Sequence, residues 1–212
     1  MKRILIVAGI HGDEPSGPHA ALSALLDPVF KKRIARAGVV FNIVPLANPS
    51  GTMRGTRKTI NGHDVNRCFS DEPQHNEPFE CTAFRNFLKN IRQPYDLLLS
   101  LHEDPGYDAF YLYDAECGRT SPLIQNIFSI ITKHGVRRYT GLDEPELGGG
   151  IIRGGYANVS ANASRTLPTL EEYALRNGYA KKTLTPEIPG KLPLAKKIKL
   201  AIELVKTAVG SV

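Results

Sequence analysis

The chain has 212 residues, 42% of them apolar and 23% charged, the proportions of a globular protein with a substantial buried core. Its apolar runs fall short of the ~18 residues of a membrane-spanning helix, which removes that class and a membrane partner. The net charge of +6 is scattered, with modest clusters at Lys31-Lys32-Arg33 and Lys196-Lys197-Ile198-Lys199. Without a basic strip interleaved with aromatics, no nucleic-acid partner is expected, and an anionic small substrate fits the charge better.

The start, Met1-Lys2-Arg3 followed by apolar residues, mimics a signal peptide, but the run leads into His11-Gly12-Asp13-Glu14 with no small-residue cleavage site. Residues 3–8 are therefore read as a first buried strand. A helix is predicted over 17–26, entered through Pro15 and Ser16 and closed by Asp27-Pro28. A second buried strand is predicted over 39–45, followed by a long polar, turn-rich segment over 48–77. Phe84, Phe87, Leu88 and Ile91 mark a helix over 79–91, and 97–101 is a nearly continuous apolar strand. A short strand is expected over 110–113 and a helix over 121–134, with Ile124, Ile127, Phe128 and Ile131 on one face. The glycine-rich stretch 148–155 reads as a loop, 170–176 as a short helix stopped by Asn177-Gly178, 182–187 as a last strand, and 192–209 as a long amphipathic helix with a basic face. Alternating strands and helices without a linker predict one α/β domain over residues 1–212. In such sheets ligands collect at the carboxyl ends of the strands.

Two of those ends carry metal-ligand chemistry. His11 and Glu14 follow the first strand, and His102 ends the strand over 97–101. Two His and one Glu are the ligand set of a catalytic zinc site that leaves a fourth position for water. The segment 57–67 adds Arg57 and the pair Asn66-Arg67. Arginine forks bind carboxylates in bidentate fashion, and an arginine beside a metal can stabilise an oxyanion. By itself the segment also reads as a basic turn rich in Gly and Asn. Glu187, in Thr185-Pro186-Glu187-Ile188-Pro189, is placed to act as a general base, though alone it looks like any turn acid. Cys68, Cys81 and Cys117 show no CxxC spacing and are read as reduced thiols, which with the missing cleavage site points to the cytoplasm.

These pieces together resemble the zinc carboxypeptidase superfamily, in particular its succinylglutamate desuccinylase/aspartoacylase and murein peptide amidase branches. The carriers are His-Gly-Asp-Glu at 11–14, Asn-Pro-Ser-Gly at 48–51, Arg57, Gly-His-Asp-Val-Asn-Arg at 62–67, Leu-His at 101–102 and Thr-Pro-Glu-Ile-Pro at 185–189. The resemblance implies a three-layer α/β/α fold around a mixed, mostly parallel sheet. It implies one zinc ion per chain on His11, Glu14 and His102, with Arg57 at the oxyanion. Asn66 and Arg67 would take the substrate's terminal carboxylate, and Glu187 would move protons. The implied reaction is amide hydrolysis in a small peptide with a free C-terminus. The alternatives are deacylation of an N-acyl amino acid, or a family member that binds metal without catalysis. Similarity also puts Glu171 near the pocket for the substrate's terminal side chain, where an acid would favour an amine-bearing group. The competing reading is an acid in a first helical turn. One departure is plain: the mobile tyrosine of carboxypeptidases has no counterpart in 159–165, and only Tyr156 or Tyr173 lie near enough to substitute.

Overall fold

The computed structural model describes residues 1–70, 76–143, 150–159 and 169–210. The elements run β1 (Arg3–Ala8), α1 (Ser16–Leu26), α2 (Pro28–Ala37), β2 (Val40–Val44), α3 (Pro49–Arg54), a single 3-10 turn at Val65–Arg67, α4 (Phe79–Lys89), β3 (Leu97–Asp104), β4 (Tyr111–Ala115), α5 (Pro122–Lys133), β5 (Gly141–Leu142), β6 (Ile151–Ile152), β7 (Tyr156–Asn158), α6 (Leu170–Arg176), β8 (Thr183–Pro189) and α7 (Leu194–Gly210).

Six strands form one sheet in the order β2-β1-β3-β8-β4-β7. Every pairing is parallel except β4 against β8, so the sheet is mixed and mostly parallel, as the sequence predicts. Side chains alternate across a strand, and both faces of this sheet are apolar over β1 and β3. Ile4, Ile6, Ala8, Leu97, Leu99 and Leu101 pack under α1, α2, α5 and α7. Leu5, Val7 and Leu98 point the other way, into a second core with Phe84 and Leu88 of α4 and Leu170 and Tyr173 of α6. That is the three-layer α/β/α arrangement. Among the described residues no helix is long and apolar enough to cross a membrane.

The strand predicted over 39–45 is not a buried one. β2 is the sheet's edge, with Asn42 exposed and its neighbours only half-buried, because among the described residues no strand pairs on its far side. Asp27-Pro28, read as the end of one helix, also begins the next. The Asp27 carboxylate accepts hydrogen bonds from the Val29 and Phe30 N–H groups at 2.9 and 3.1 Å, Pro28 occupies the first turn, and Gly38 closes α2 in the left-handed conformation with φ 64°. Within 48–77, Asn48 caps α3. Part of the stretch read as a glycine-rich loop is strand: β6 pairs antiparallel with β5.

The cysteine reading also needs correction. Cys68 and Cys81 are joined as a disulfide, their Cα atoms 6.4 Å apart. One follows the 3-10 turn and the other lies on α4, and both belong to the second core. Their proximity is tertiary, so the sequence spacing held no sign of it.

Candidate metal centre and active-site cleft

The loop after β1 is held by close backbone packing. A Cβ on Gly12 would lie 2.1 Å from the carbonyl carbon of Gly51, so the 11–14 and 48–51 motifs fit each other only without side chains there. The Asn48 side chain accepts from Gly51 N at 2.8 Å and donates to the Arg57 carbonyl at 3.2 Å, tying both turns to the segment that carries Arg57.

At this junction His11, Glu14 and His102 converge, all three buried, with a potential ligand atom from each lying within 4.8 Å of the others. His11 Nδ1 is 2.5 Å from Glu14 Oε1, and His102 Nδ1 is 3.1 Å from Glu14 Oε2. The Glu103 N–H also donates to Glu14 Oε2 at 3.1 Å. The far ring nitrogens meet carboxylates. His11 Nε2 is 3.3 Å from Asp64 Oδ1, and His102 Nε2 is 3.5 Å from Glu171 Oε1. Two buried imidazoles aimed with the same atom at one carboxylate are a donor set that fits a divalent cation such as zinc.

Charge within the cluster is strongly coupled. Burial would raise the Glu14 carboxyl, but the two imidazoles outweigh it and hold it at about 2. Burial works against protonation of both histidines, yet Glu14, with Asp64 beside His11 and Glu171 beside His102, raises each above its ordinary value. Burial would likewise raise Glu171, and His102 brings it down to about 2.

Glu187 stands directly across from His102 in the β3–β8 register and across from Tyr111 in the β4–β8 register. Cross-strand neighbours share a face, so Glu187 lies beside the His/Glu/His cluster. Burial pushes its carboxyl up to about 8; His102 pulls the other way, and Glu14 and Asp104 reinforce the rise.

These groups open onto a cleft of about 1070 Å³, with Thr183, Thr185 and Glu187 of β8 and Tyr111 and Tyr113 of β4 among its lining. Arg57 and Arg67 enter from the 57–67 segment. Arg57 Nε donates to Asp64 Oδ2 at 2.9 Å, so Asp64 ties the arginine to His11. Arg67 donates to the main-chain carbonyl of Asn66 at 2.9 Å. Asn66 is buried and turned toward α6. Its Oδ1 accepts from Leu170 N at 2.9 Å, and its Nδ2 donates to Glu171 Oε2 at 3.3 Å. Glu171 is buried behind His102, with one oxygen toward the ring and one toward Asn66.

Neither tyrosine considered as a substitute for the mobile one reaches this point. Tyr156 gives its hydroxyl to Asp114 at 2.7 Å on the opposite face, and Tyr173 packs against Phe69 in the second core. Val159 lines the cleft, while residues 160–165 lie outside the described residues. Sequence reasoning missed Asp64, Tyr111 and Tyr113. The tyrosines were detectable from alternation within the strand expected over 110–113, where residues 111 and 113 share a face, and Asp64 from its place two residues before Asn66.

His, Glu and His thus meet where the adjacent strands β1 and β3 of a mixed α/β/α sheet lead into the cleft. The chain belongs to the succinylglutamate desuccinylase/aspartoacylase family, whose catalytic domain it matches over residues 1–137. A human N-acyl-aromatic-L-amino acid amidohydrolase is 33% identical over 113 residues, a match that covers 48% of this chain and spans about a third (33%) of the human protein. Among solved structures, a protein of Shewanella amazonensis assigned to the metallopeptidases superposes with a TM-score of 0.77 at 23% identity, covering 99% of this chain and 77% of that one. A metallo-carboxypeptidase from Burkholderia cenocepacia gives 0.64 at 19% identity, with 99% and 57% covered. The D,L-carboxypeptidase Csd4 of Helicobacter pylori, solved in its mDAP-bound form, gives 0.65 at 20% identity, with 99% and 50% covered. At these identities the structures speak for the fold.

Proposed function

We propose that the protein is a zinc-dependent amidohydrolase that cleaves an amide bond in a small peptide bearing a free C-terminal carboxylate. The observation that carries this reading is the convergence of His11, Glu14 and His102 beside Glu187, in a cleft that Arg57 and Arg67 also enter. His11, Glu14 and His102 would hold the ion, which when bound supplies Lewis acidity and a water acidified toward pKa ~7. Glu187 receives the proton of the attacking water on its carboxylate and returns it to the leaving nitrogen. A cation beside it favours its ionised form, offsetting the rise that burial causes. Arg57, fixed by Asp64, donates to the oxygen that gains charge as water adds to the carbonyl. Arg67 takes the substrate's carboxylate, and Asn66 braces it through its main-chain carbonyl.

A second reading, deacylation of an N-acyl amino acid, is favoured by the family match and by the human relative's activity on N-acyl-aromatic amino acids. It uses the same groups, with the amino acid's carboxylate on Arg67. A panel of short peptides, their C-terminal amides and N-acyl amino acids, incubated with zinc-loaded protein, separates the two. Release of an amino acid from the free peptides, with the amides resistant, is the expected result. Cleavage confined to the acyl amino acids supports the second reading. Equal cleavage of free and amidated peptides contradicts the carboxylate role of Arg67.

A further inference from the structure

We propose that Glu171 is a positioning residue for the metal centre: it accepts the Nε2 proton of His102 and, braced by Asn66, fixes the ring that ligates the ion. The inference rests on the metal-centre reading above.

His102 presents Nδ1 to the cluster, 3.1 Å from Glu14 Oε2. A ring that ligates a cation through Nδ1 carries its remaining proton on Nε2. That nitrogen is buried, and among the described residues it has no hydrogen-bond partner. Glu171 Oε1 is also buried without one, and the two atoms face each other 3.5 Å apart. Donor and acceptor are each unsatisfied and each sealed from water, a costly condition that closing on one another relieves, and the buried Ser100 hydroxyl is the other donor beside Glu171. A small ring rotation on metal binding brings them into hydrogen-bond range.

The second oxygen of Glu171 is already engaged. Asn66 Nδ2 donates to Oε2 at 3.3 Å, and Asn66 Oδ1 accepts from Leu170 N at 2.9 Å. The amide therefore anchors both the carboxylate and the start of its helix. A chain of contacts runs from the 3-10 turn through Glu171 to the ligand on β3. Both carboxylate oxygens face protein groups, Oε1 the His102 ring and Oε2 the Asn66 amide. Outer carboxylates of this type orient the ligating ring and raise its basicity, and their loss costs ~10–100-fold in metal affinity or activity.

The test is zinc affinity by chelator competition on the parent protein and on Glu171→Gln, with KM and kcat measured at saturating zinc. The proposal expects zinc to bind ~10–100-fold more weakly in the variant, with KM close to the parent's once the site is full. Parent-like zinc affinity combined with a raised KM overturns it and makes Glu171 a substrate-pocket acid. A parent that binds no zinc overturns the metal centre itself, and the proposal with it. If Glu171→Gln does not fold, the parent alone decides. Zinc-loaded protein with 15N-labelled histidine should show a slowly exchanging Nε2 proton on His102, and a freely exchanging or absent proton there contradicts the proposal.

Discussion

On one face of the sheet Leu101, Leu112, Leu184 and Ile188 are sealed beneath helices, and on the other His102, Tyr111, Tyr113, Thr185 and Glu187 line the cleft. The two sets interleave along the same three strands, one residue apart. Two neighbouring residues of β3 show how side chains divide between the faces. Glu103 points to the closed side, where it accepts from Ser16 N at the start of α1 at 2.6 Å and pairs with Lys197 of α7. It satisfies a buried helix N-terminus and favours the helix dipole. His102, just before it, joins the His/Glu/His cluster on the open side. A strand thus divides stability and chemistry by parity, and a one-residue slip would exchange them.

If the division is real, substitutions on the two faces fail differently. Glu187→Gln should lower kcat by ~10²–10⁴-fold while zinc content and the melting temperature of the zinc-loaded protein stay near the parent's. Turnover at the parental rate would remove the assigned proton transfer. Leu184→Ala, on the same strand and the closed face, should cost ~2–5 kcal/mol of stability and leave kcat of the folded fraction unchanged. Denaturant unfolding with activity measured in parallel checks this, and a loss of kcat without a loss of stability would break the comparison.

The open face should also make the metal-free protein sensitive to pH. Glu187 releases its proton near 4.5 when unfolded and near 8 when folded. Between those values the native state holds the extra proton, so stability falls as pH rises. His102, held above its ordinary value, acts in the same sense, its contribution being present at low pH and lost as pH rises through its folded pKa. Glu14, lowered to about 2, contributes stability that is present above its ordinary value of 4.5 and lost only as pH falls toward 2. Thermal melts of metal-free protein should therefore decline from pH ~5 to ~8, with a flatter slope in Glu187→Gln. Melting temperatures that rise across that window contradict the burial of Glu187.

Much of this division was legible in the sequence. β1 and α6 coincide with their predicted limits, and the His and Glu residues stood out because they follow apolar runs, although β3 continues through His102 to Asp104 instead of ending before it. The α/β class followed from the alternation of elements, and the family with its mixed, mostly parallel sheet from the motif order; the strand order came only with the structure. What escaped were relations made by packing. Asp27-Pro28 carries stop and start signals at once, so α2 was hidden behind α1. β2 has the composition of a buried strand, yet among the described residues no strand pairs with its outer edge. Glu171 lies 69 residues from His102 in sequence, and only the docking of α6 against the 3-10 turn reveals which way its carboxylate faces. The Cys68–Cys81 pair depends on the same layer.

The central claim is a metal centre at the junction of β1 and β3, and metal content tests it most directly. The parent protein and His102→Ala should be purified side by side, stripped, reloaded with zinc and assayed for bound metal. About one zinc per chain in the parent, lost in the variant, is the expected result. A parent that holds no zinc, or a variant that retains it in full, would contradict the account.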